Sequence, residues 1–283
     1  MTITDRFRGA LWGMFVGDAL AMPVHWYYNV AALQRDFGTI RDYQAPKDFH
    51  PSSIMALAST GRAGRGDQHG EVVGRVILKG KKPYWGRPNT HYHQGMRPGD
   101  NALNLHCARV LIRAMNAAGH YDPADFLRDY IAFMTAPDSH NDTYQQSDRD
   151  VIGRLLSPAC YIDQSFPSVL YLAARYANDF EAALIANTNV GGDNCHRGAV
   201  LGAILGAALG FQAIPERWIH GLQARRDLEN EIDTFIARFA EPTRTAAAVA
   251  VPPLAERVGN NSYKQPGLSL HPFALSLSKG IHR

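Results

Sequence analysis

Apolar and small residues recur every three or four positions through most of this 283-residue chain. That spacing predicts amphipathic helices, because residues three and four apart lie on one face of a helix. The alternation typical of a half-buried strand is scarce, and Glu71–Leu78 is the one good candidate for a strand or hairpin. The pattern therefore predicts an all-α protein, with helices over 5–21, 101–118, 122–134, 146–156, 165–177, 179–188, 198–211, 215–223 and 225–239.

Two of the predicted helices carry glycine at every fourth position: Gly9, Gly13 and Gly17 in the first, and Gly198, Gly202, Gly206 and Gly210 in the second. The second belongs to an uncharged run over 198–214, which is at the lower limit for crossing a bilayer. The run is rich in Ala and Gly rather than Leu and Ile. We therefore expect a tightly packed core helix and no membrane segment.

Two stretches depart from the helical pattern. Residues 45–98 are rich in Gly, Pro and basic residues, and such a long loop in a compact domain is usually functional. From 241 to 283 the chain contains several prolines and then short apolar–polar alternation, which predicts an extended or partly disordered surface tail. We expect one domain over 1–240, with 45–98 as a loop or insertion.

Composition limits the class of ligand and the cellular compartment that we expect for this protein. The net charge of +3 is too small to predict nucleic-acid binding, but it suits an anionic small ligand. Three widely spaced cysteines form no disulfide framework, which indicates a reducing, cytoplasmic compartment. No feature of the sequence predicts an oligomeric state.

Two Gly-Asp-Asn turns, Gly99–Asn101 and Gly192–Asn194, each open a predicted helix. A helix start offers backbone N–H groups, and the acidic side chain beside it could hold a metal ion or a phosphate-bearing ligand. The alternative is that Asp100 and Asp193 only cap their helices, since Asp is a preferred N-cap residue. The repetition of the turn favours one shared site.

The segments Arg8–Val24 and Phe180–Asp193, the latter with the glycine-rich helix behind it, resemble the ADP-ribosylglycohydrolase family. The resemblance extends over roughly residues 6–240. It implies an all-α fold with two magnesium ions between helices. It also implies cleavage of the glycosidic bond at the terminal ribose of an ADP-ribosyl group, carried by a small molecule or a protein.

The metal motifs of that family are altered here. Its Thr-Asp-Asp-Thr motif falls on Pro98–Asn101, and its Asp-Thr-Asp-Thr motif falls on Asp193–His196. His25 stands where the family has a glutamate near the scissile bond. Of the usual side-chain ligands only Asp100 and Asp193 remain, and two carboxylates cannot balance two Mg²⁺ ions. The family's two-magnesium site is therefore not expected to be intact.

Three chemistries remain open for the altered site. Asp100 and Asp193 could hold one divalent ion with help from Asn101, Asn194 or His196. We place magnesium or manganese ahead of zinc, although imidazole and thiolate ligands favour zinc. Alternatively, His25 or His196 could act as acid–base without metal, or His25 could activate Cys195 as a nucleophile. The third possibility is a binding module that has lost catalysis.

Other residues complete the predicted site. The backbone of Gly191 and Gly192 is expected to contact the substrate, Arg197 to grip a phosphate, and Trp26 to stack on a ring of the ligand. The sequence thus favours a divergent hydrolase of N- or O-glycosidic bonds, with His25, Asp100 and Asp193 as catalytic residues. The alternative is a non-catalytic protein that binds ADP-ribose or a nucleotide.

Several residues have simpler interpretations. Cys195 is more often a small buried residue than a nucleophile, and Asp18 is expected to bond backbone amides in its own turn. His91 and His93 alternate along an extended segment and, with His69, could bind metal. For these three histidines a solvated loop is favoured over a metal site.

Overall fold

The computed structural model describes residues 1–50, 89–91, 93–136 and 162–240. Within these residues the chain forms nine α-helices. They are α1 (Ile3–Ala21), α2 (Val30–Phe37), α3 (Leu103–Ala118), α4 (Pro123–Thr135), α5 (Ile162–Arg175), α6 (Phe180–Asn189), α7 (Asn194–Leu209), α8 (Glu216–Gly221) and α9 (Arg225–Phe239).

The predicted all-α class is confirmed, and the predicted helices that fall on described residues lie within a few positions of the observed ones. Helix α2 was not predicted. It has only eight residues, and its start is marked by Asn29, whose side chain accepts a hydrogen bond from the backbone of Ala32 at 3.0 Å. The predicted helix 146–156, the strand Glu71–Leu78, residues 51–88 of the loop and the tail from 241 lie outside the described residues.

Helices α1 and α7 pack antiparallel, and their glycines meet in three layers. A Cβ built on Gly202 would lie 2.0 Å from the carbonyl oxygen of Gly13, and the Gly9–Gly206 and Gly17–Gly198 layers are equally close. Such distances exclude any side chain, so the two backbones are in direct contact. This pairing buries the glycine face of α7, and no described helix is long and apolar enough to cross a membrane.

The pairing also brings the C-terminal end of α1 next to the N-terminal end of α7. Helix α1 runs into a 3₁₀ turn at Met22–Val24 and then into His25, while Asp193 immediately precedes α7. Two backbone hydrogen bonds join these segments: Trp26 N–H donates to Gly192 O at 2.8 Å, and Gly192 N–H donates to Tyr27 O at 2.7 Å. Residues that are far apart in sequence are thereby held side by side.

Helices α5, α6, α8 and α9 pack against this pair. The apolar core includes Phe15, Phe180 and Trp218, all of them buried. Helices α3 and α9 are joined by the half-buried ion pair of Arg109 with Glu231, whose N···O distance is 2.8 Å.

Candidate functional site

Three histidines and one aspartate form a connected cluster where the two paired helices meet. His25 Nε2 lies 2.9 Å from Asp193 Oδ1, and His25 Nδ1 lies 2.7 Å from His93 Nε2. His196 Nδ1 lies 2.5 Å from the same Asp193 oxygen. His25, His93 and Asp193 are buried, whereas the side chain of His196 is 38% exposed. His196 is therefore the member of the cluster that faces solvent.

Burial and mutual contacts fix the protonation of His25 and Asp193. Burial lowers the pKa of His25 to about 3, partly opposed by the hydrogen bond to Asp193. Burial disfavours ionisation of Asp193, but His196 and His25 outweigh it and hold the pKa of that carboxyl well below its usual value. At neutral pH a neutral His25 thus donates from Nε2 to the Asp193 carboxylate and accepts at Nδ1 from His93.

The backbone around His25 is strained in a way that orients its ring. Trp26 has φ of 65°, which is rare for a bulky residue, and its ring stacks on His25 with centroids 3.9 Å apart. Gly191 has φ of 67°, and a Cβ there would lie 2.0 Å from Tyr27 O. Only glycine allows the chain to pass so close to the segment that carries His25. The substrate contacts predicted for Gly191, Gly192 and Trp26 stay predictions.

Asp193 occupies the N-cap position of α7, yet its side chain makes no capping hydrogen bond. Its carboxylate instead accepts from the imidazoles of His25 and His196. An N-cap aspartate normally satisfies the exposed backbone N–H groups of the first turn. For Asp193 the capping interpretation is therefore wrong, and its carboxylate belongs to the histidine cluster.

Asp100 has a different environment. The backbone and side chain of Arg97 donate to its carboxylate, with the backbone contact at 2.7 Å. Asn101 donates to Phe15 O and to Asp18 Oδ2, so its amide joins α1 to the start of α3. Asp100 and Asn101 share no described contact with Asp193, and their predicted roles at a shared site stay predictions.

Asp18 bonds another element rather than its own turn. Its Oδ2 accepts from the backbone of Ala102, the residue that opens α3, at 2.9 Å. Burial raises the pKa of Asp18 to about 6, although the hydrogen bond from Asn101 lowers it. The expected bonding to backbone amides occurs, but it crosses from α1 to α3.

Arg197, in the first turn of α7, bonds to α6 and to the glycine turn that joins α6 to α7. Its Nη2 donates to Gly191 O at 2.6 Å and its Nε donates to Asn187 Oδ1 at 3.2 Å. Burial lowers the pKa of this guanidinium, while the nearby Asp193 raises it. Arg197 thus braces the glycine turn that carries Asp193, and its predicted phosphate contact stays a prediction.

The structure adds His93, and behind it His91, to the candidate site. Both are buried, so the expectation of a solvated loop is wrong for these two residues. His93 N–H donates to His91 Nδ1 at 3.0 Å, so His91 carries its proton on Nε2 and donates to His25 O at 2.9 Å. The alternation at positions 91 and 93 was the sequence signal that could have indicated a shared inward face.

A comparison with known protein families covers nearly the whole described chain. The family described as ADP-ribosylglycohydrolase matches residues 1–157 and 134–247. The chain belongs to the ADP-ribosylglycohydrolase family.

Two individual proteins are also similar to this family member. An uncharacterized protein of Archaeoglobus fulgidus is 44% identical over 89 residues. The match spans 29% of this chain and only 27% of that relative's length. A solved structure described as an ADP-ribosylglycohydrolase-related protein complex is 19% identical, with a TM-score of 0.41, and the match covers 83% of this chain and 98% of that chain.

The donor set of this ADP-ribosylglycohydrolase family member does not fit two magnesium ions. Magnesium prefers oxygen ligands in octahedral geometry, whereas the described cluster offers Asp193 as its one carboxylate. Two groups of ligand atoms lie within 4.8 Å of one another in the described chain: those of His25, Asp193 and His196, and those of His25, His93 and Cys195. The site can therefore hold and transfer protons, and it contains groups able to bind a metal.

Proposed function

We propose that this chain hydrolyses an N- or O-glycosidic bond of an ADP-ribosyl or nucleotide-like substrate, carried by a small molecule or a protein. Family membership supports a hydrolase of this type. The observation that carries the proposal is the bonding of Asp193. A carboxylate at a helix start, bonded by two imidazoles instead of by backbone amides, is an arrangement typical of acid–base sites.

His196 is the residue best placed to meet the substrate. It is the solvent-facing member of the cluster, and in its neutral form, with Nδ1–H donating to Asp193, the unprotonated nitrogen is Nε2. Nε2 accepts a proton from the attacking water while the water oxygen bonds to the anomeric carbon. The glycosidic bond breaks at the same time, the leaving group takes up a proton from solvent, and His196 afterwards returns its proton to solvent.

Asp193 and His25 are assigned positioning roles. The Asp193 carboxylate fixes the tautomer of His196 and stabilises the imidazolium that forms during the reaction, as in other carboxylate–histidine pairs. His25 donates to the same Asp193 oxygen and, with His93 behind it, holds the carboxylate in place. In this arrangement His25, which replaces the family glutamate, acts through Asp193 rather than on the substrate.

A second function is favoured by the burial of the cluster. His25 and His93 are almost fully enclosed, so they could serve to brace a binding cleft without any chemistry. A non-catalytic protein that binds ADP-ribose or a nucleotide would then be stabilised by its ligand and release no product.

The two functions are separated by measuring binding and turnover on the same protein. Thermal unfolding with ADP-ribose, in EDTA and with Mg²⁺, Mn²⁺ or Zn²⁺, reports binding. A ligand at 100 times its Kd adds about 2.7 kcal/mol of stability. Release of ADP-ribose from N- and O-linked conjugates reports hydrolysis. Stabilisation without release under every metal condition would contradict the hydrolase and support the binding protein.

Variants then test which carboxylates take part in hydrolysis. Asp193→Asn should lower the hydrolysis rate at least about 100-fold, the lower range for loss of acid–base assistance. Asp233→Asn, which removes an exposed carboxylate paired with Arg8, is the matched control and should leave the rate unchanged. Asp100→Asn tests the remaining prediction for Asp100, since a comparable loss would place that carboxylate in the reaction.

A further inference from the structure

The chemical types of the clustered ligands differ from those that magnesium selects. Around His25 the described structure gathers the imidazoles of His93 and His196, the carboxylate of Asp193 and the thiol of Cys195. Imidazole nitrogen and cysteine sulfur are typical ligands of zinc and related transition metals, whereas magnesium is held mainly by carboxylates and water. The replacement of carboxylates in this chain therefore changes the class of ion that the site can hold.

We propose that this site binds one transition-metal ion of the zinc class, with His25 Nε2, Asp193 Oδ1 and His196 Nδ1 as its protein ligands. These atoms lie within 4.8 Å of one another. Asp193 Oδ1 is 2.9 Å from His25 Nε2 and 2.5 Å from His196 Nδ1. Tetrahedral zinc, with bonds of about 2.0–2.1 Å, separates its ligands by roughly 3.3 Å. Small side-chain rotations bring the three atoms to that spacing.

The exposure of the ligands distinguishes this group from the second one. His25, His93 and Cys195 are all fully buried, and Cys195 donates to the backbone of Asp18 at 3.7 Å. Three buried ligands provide neither an entry path nor a position for water. The chosen group contains the partly exposed His196. An ion held there keeps a fourth position toward solvent, as catalytic zinc sites do.

The contacts behind His25 match the surroundings of known metal ligands. A metal-binding histidine usually donates its other ring N–H to a nearby acceptor, which orients the ring. His25 Nδ1 lies 2.7 Å from His93 Nε2, and His91 in turn donates to His25 O. When the ion binds, the ring protons of His25 and His196 move to their other nitrogens. The proton of His93 moves from Nε2 to Nδ1 at the same time, so all three imidazoles remain neutral and His93 Nε2 accepts from His25 Nδ1.

Only the role of the ion in catalysis rests on the proposed function. A zinc ion with an open position lowers the pKa of its bound water to about 7, which would replace His196 as the means of activating water. Binding of the ion itself does not depend on turnover and can be measured alone.

The test uses the full-length protein, stripped of metal by a chelator. It is titrated with Co²⁺, whose visible absorption reports tetrahedral coordination, and with Zn²⁺ and Mg²⁺ by calorimetry. We expect one site per chain and binding of Zn²⁺ at least about 100-fold tighter than Mg²⁺, because ligand type sets the preference. Equal affinities, or an octahedral Co²⁺ spectrum, would overturn the proposal.

Two variants, one at a partly exposed position and one at a buried position, identify the ligands. His196→Ala removes a half-exposed ligand and should abolish the tetrahedral Co²⁺ spectrum, whereas His220→Ala, on the exposed surface of α8, is the matched control. Cys195→Ser should leave the affinity unchanged. Loss of affinity in Cys195→Ser but not in His196→Ala would overturn the ligand assignment. Binding that survives in both variants would overturn the site.

Metal binding and hydrolysis can fail separately. Tight Zn²⁺ binding without release of ADP-ribose would retain this inference and contradict the proposed hydrolase. Release of ADP-ribose in the presence of chelator, with no Zn²⁺ binding, would contradict this inference and retain the acid–base reaction.

Discussion

Replacing Gly202 by Ala tests whether the close contact of α1 and α7 holds the protein together. A Cβ at this position would lie 2.0 Å from the carbonyl oxygen of Gly13, and that oxygen belongs to the backbone of a long helix. The oxygen cannot rotate away as a flexible side chain would. The two helices must therefore separate by about 1.4 Å to restore an ordinary contact of 3.4 Å.

The expected loss of stability is the difference of two opposing effects. Overpacking a well-packed contact costs about 1–3 kcal/mol. Opening the helix pair also weakens the Gly9–Gly206 and Gly17–Gly198 layers, so the upper end of that range applies here. Alanine is a better helix former than glycine by about 1 kcal/mol. The net effect should be a loss of about 2 kcal/mol, or about 4–8 °C in Tm for a domain of this size.

Thermal and urea unfolding of the full-length protein measure this loss. Ala208→Gly, on the exposed face of the same helix, calibrates helix propensity and should itself cost about 1 kcal/mol. If the paired backbones position the site, Gly17→Ala should impair hydrolysis more than Gly9→Ala, because Gly17 lies nearer to His25. An increase in stability of Gly202→Ala by about 1 kcal/mol, as propensity alone predicts, would refute the reasoning.

Three further outcomes are expected. In chelator, the free energy of unfolding should fall by about 3 kcal/mol per pH unit as the pH drops from about 6 to 4. Burial keeps His25, His50 and His91 neutral in the native state, whereas they are protonated in the unfolded chain. The buried Asp18 takes up a proton in the native state and offsets part of this loss. A flat urea-unfolding profile over this range would contradict that assignment. Arg109→Ala should cost about 3 kcal/mol in urea unfolding, because it leaves the half-buried Glu231 carboxylate with one cation fewer, whereas a loss below about 1 kcal/mol would mean that water replaces the guanidinium. Gly191→Ala should lower both stability and hydrolysis, since its Cβ would meet Tyr27 O, and unchanged unfolding and turnover would show that the turn can relax.

The sequence predicted the helices because their apolar spacing is local information. Helix α9 was placed at its observed bounds, and the glycine spacing of α1 and α7 indicated close packing, although not which glycines meet. The eight residues of α2 were missed because so short a segment gives little periodic signal. The resemblance to the ADP-ribosylglycohydrolase family is also confirmed, because the family match covers residues 1–157 and 134–247.

The site was harder to predict because its contacts are not local. Asp100 and Asp193 stand in identical Gly-Asp-Asn turns, yet Arg97 lies beside the first and His25 beside the second. His25 and Asp193 are 168 positions apart, so only the helix pairing decides which turn receives the imidazole. His93 was named but interpreted as part of a solvated loop, because the alternation at positions 91 and 93 indicates a shared face without deciding whether that face is buried.

The backbone contact between α1 and α7 has a consequence for how this protein can evolve. Its three layers contain only glycine, so the alignment of the helix ends does not depend on any side chain that performs chemistry. Side chains at those ends can be exchanged, carboxylate for imidazole, while the distance between the exchanged positions is inherited unchanged. A lineage with such a frame can change its metal or its reaction through few substitutions, each tolerated by the fold before it is selected for activity.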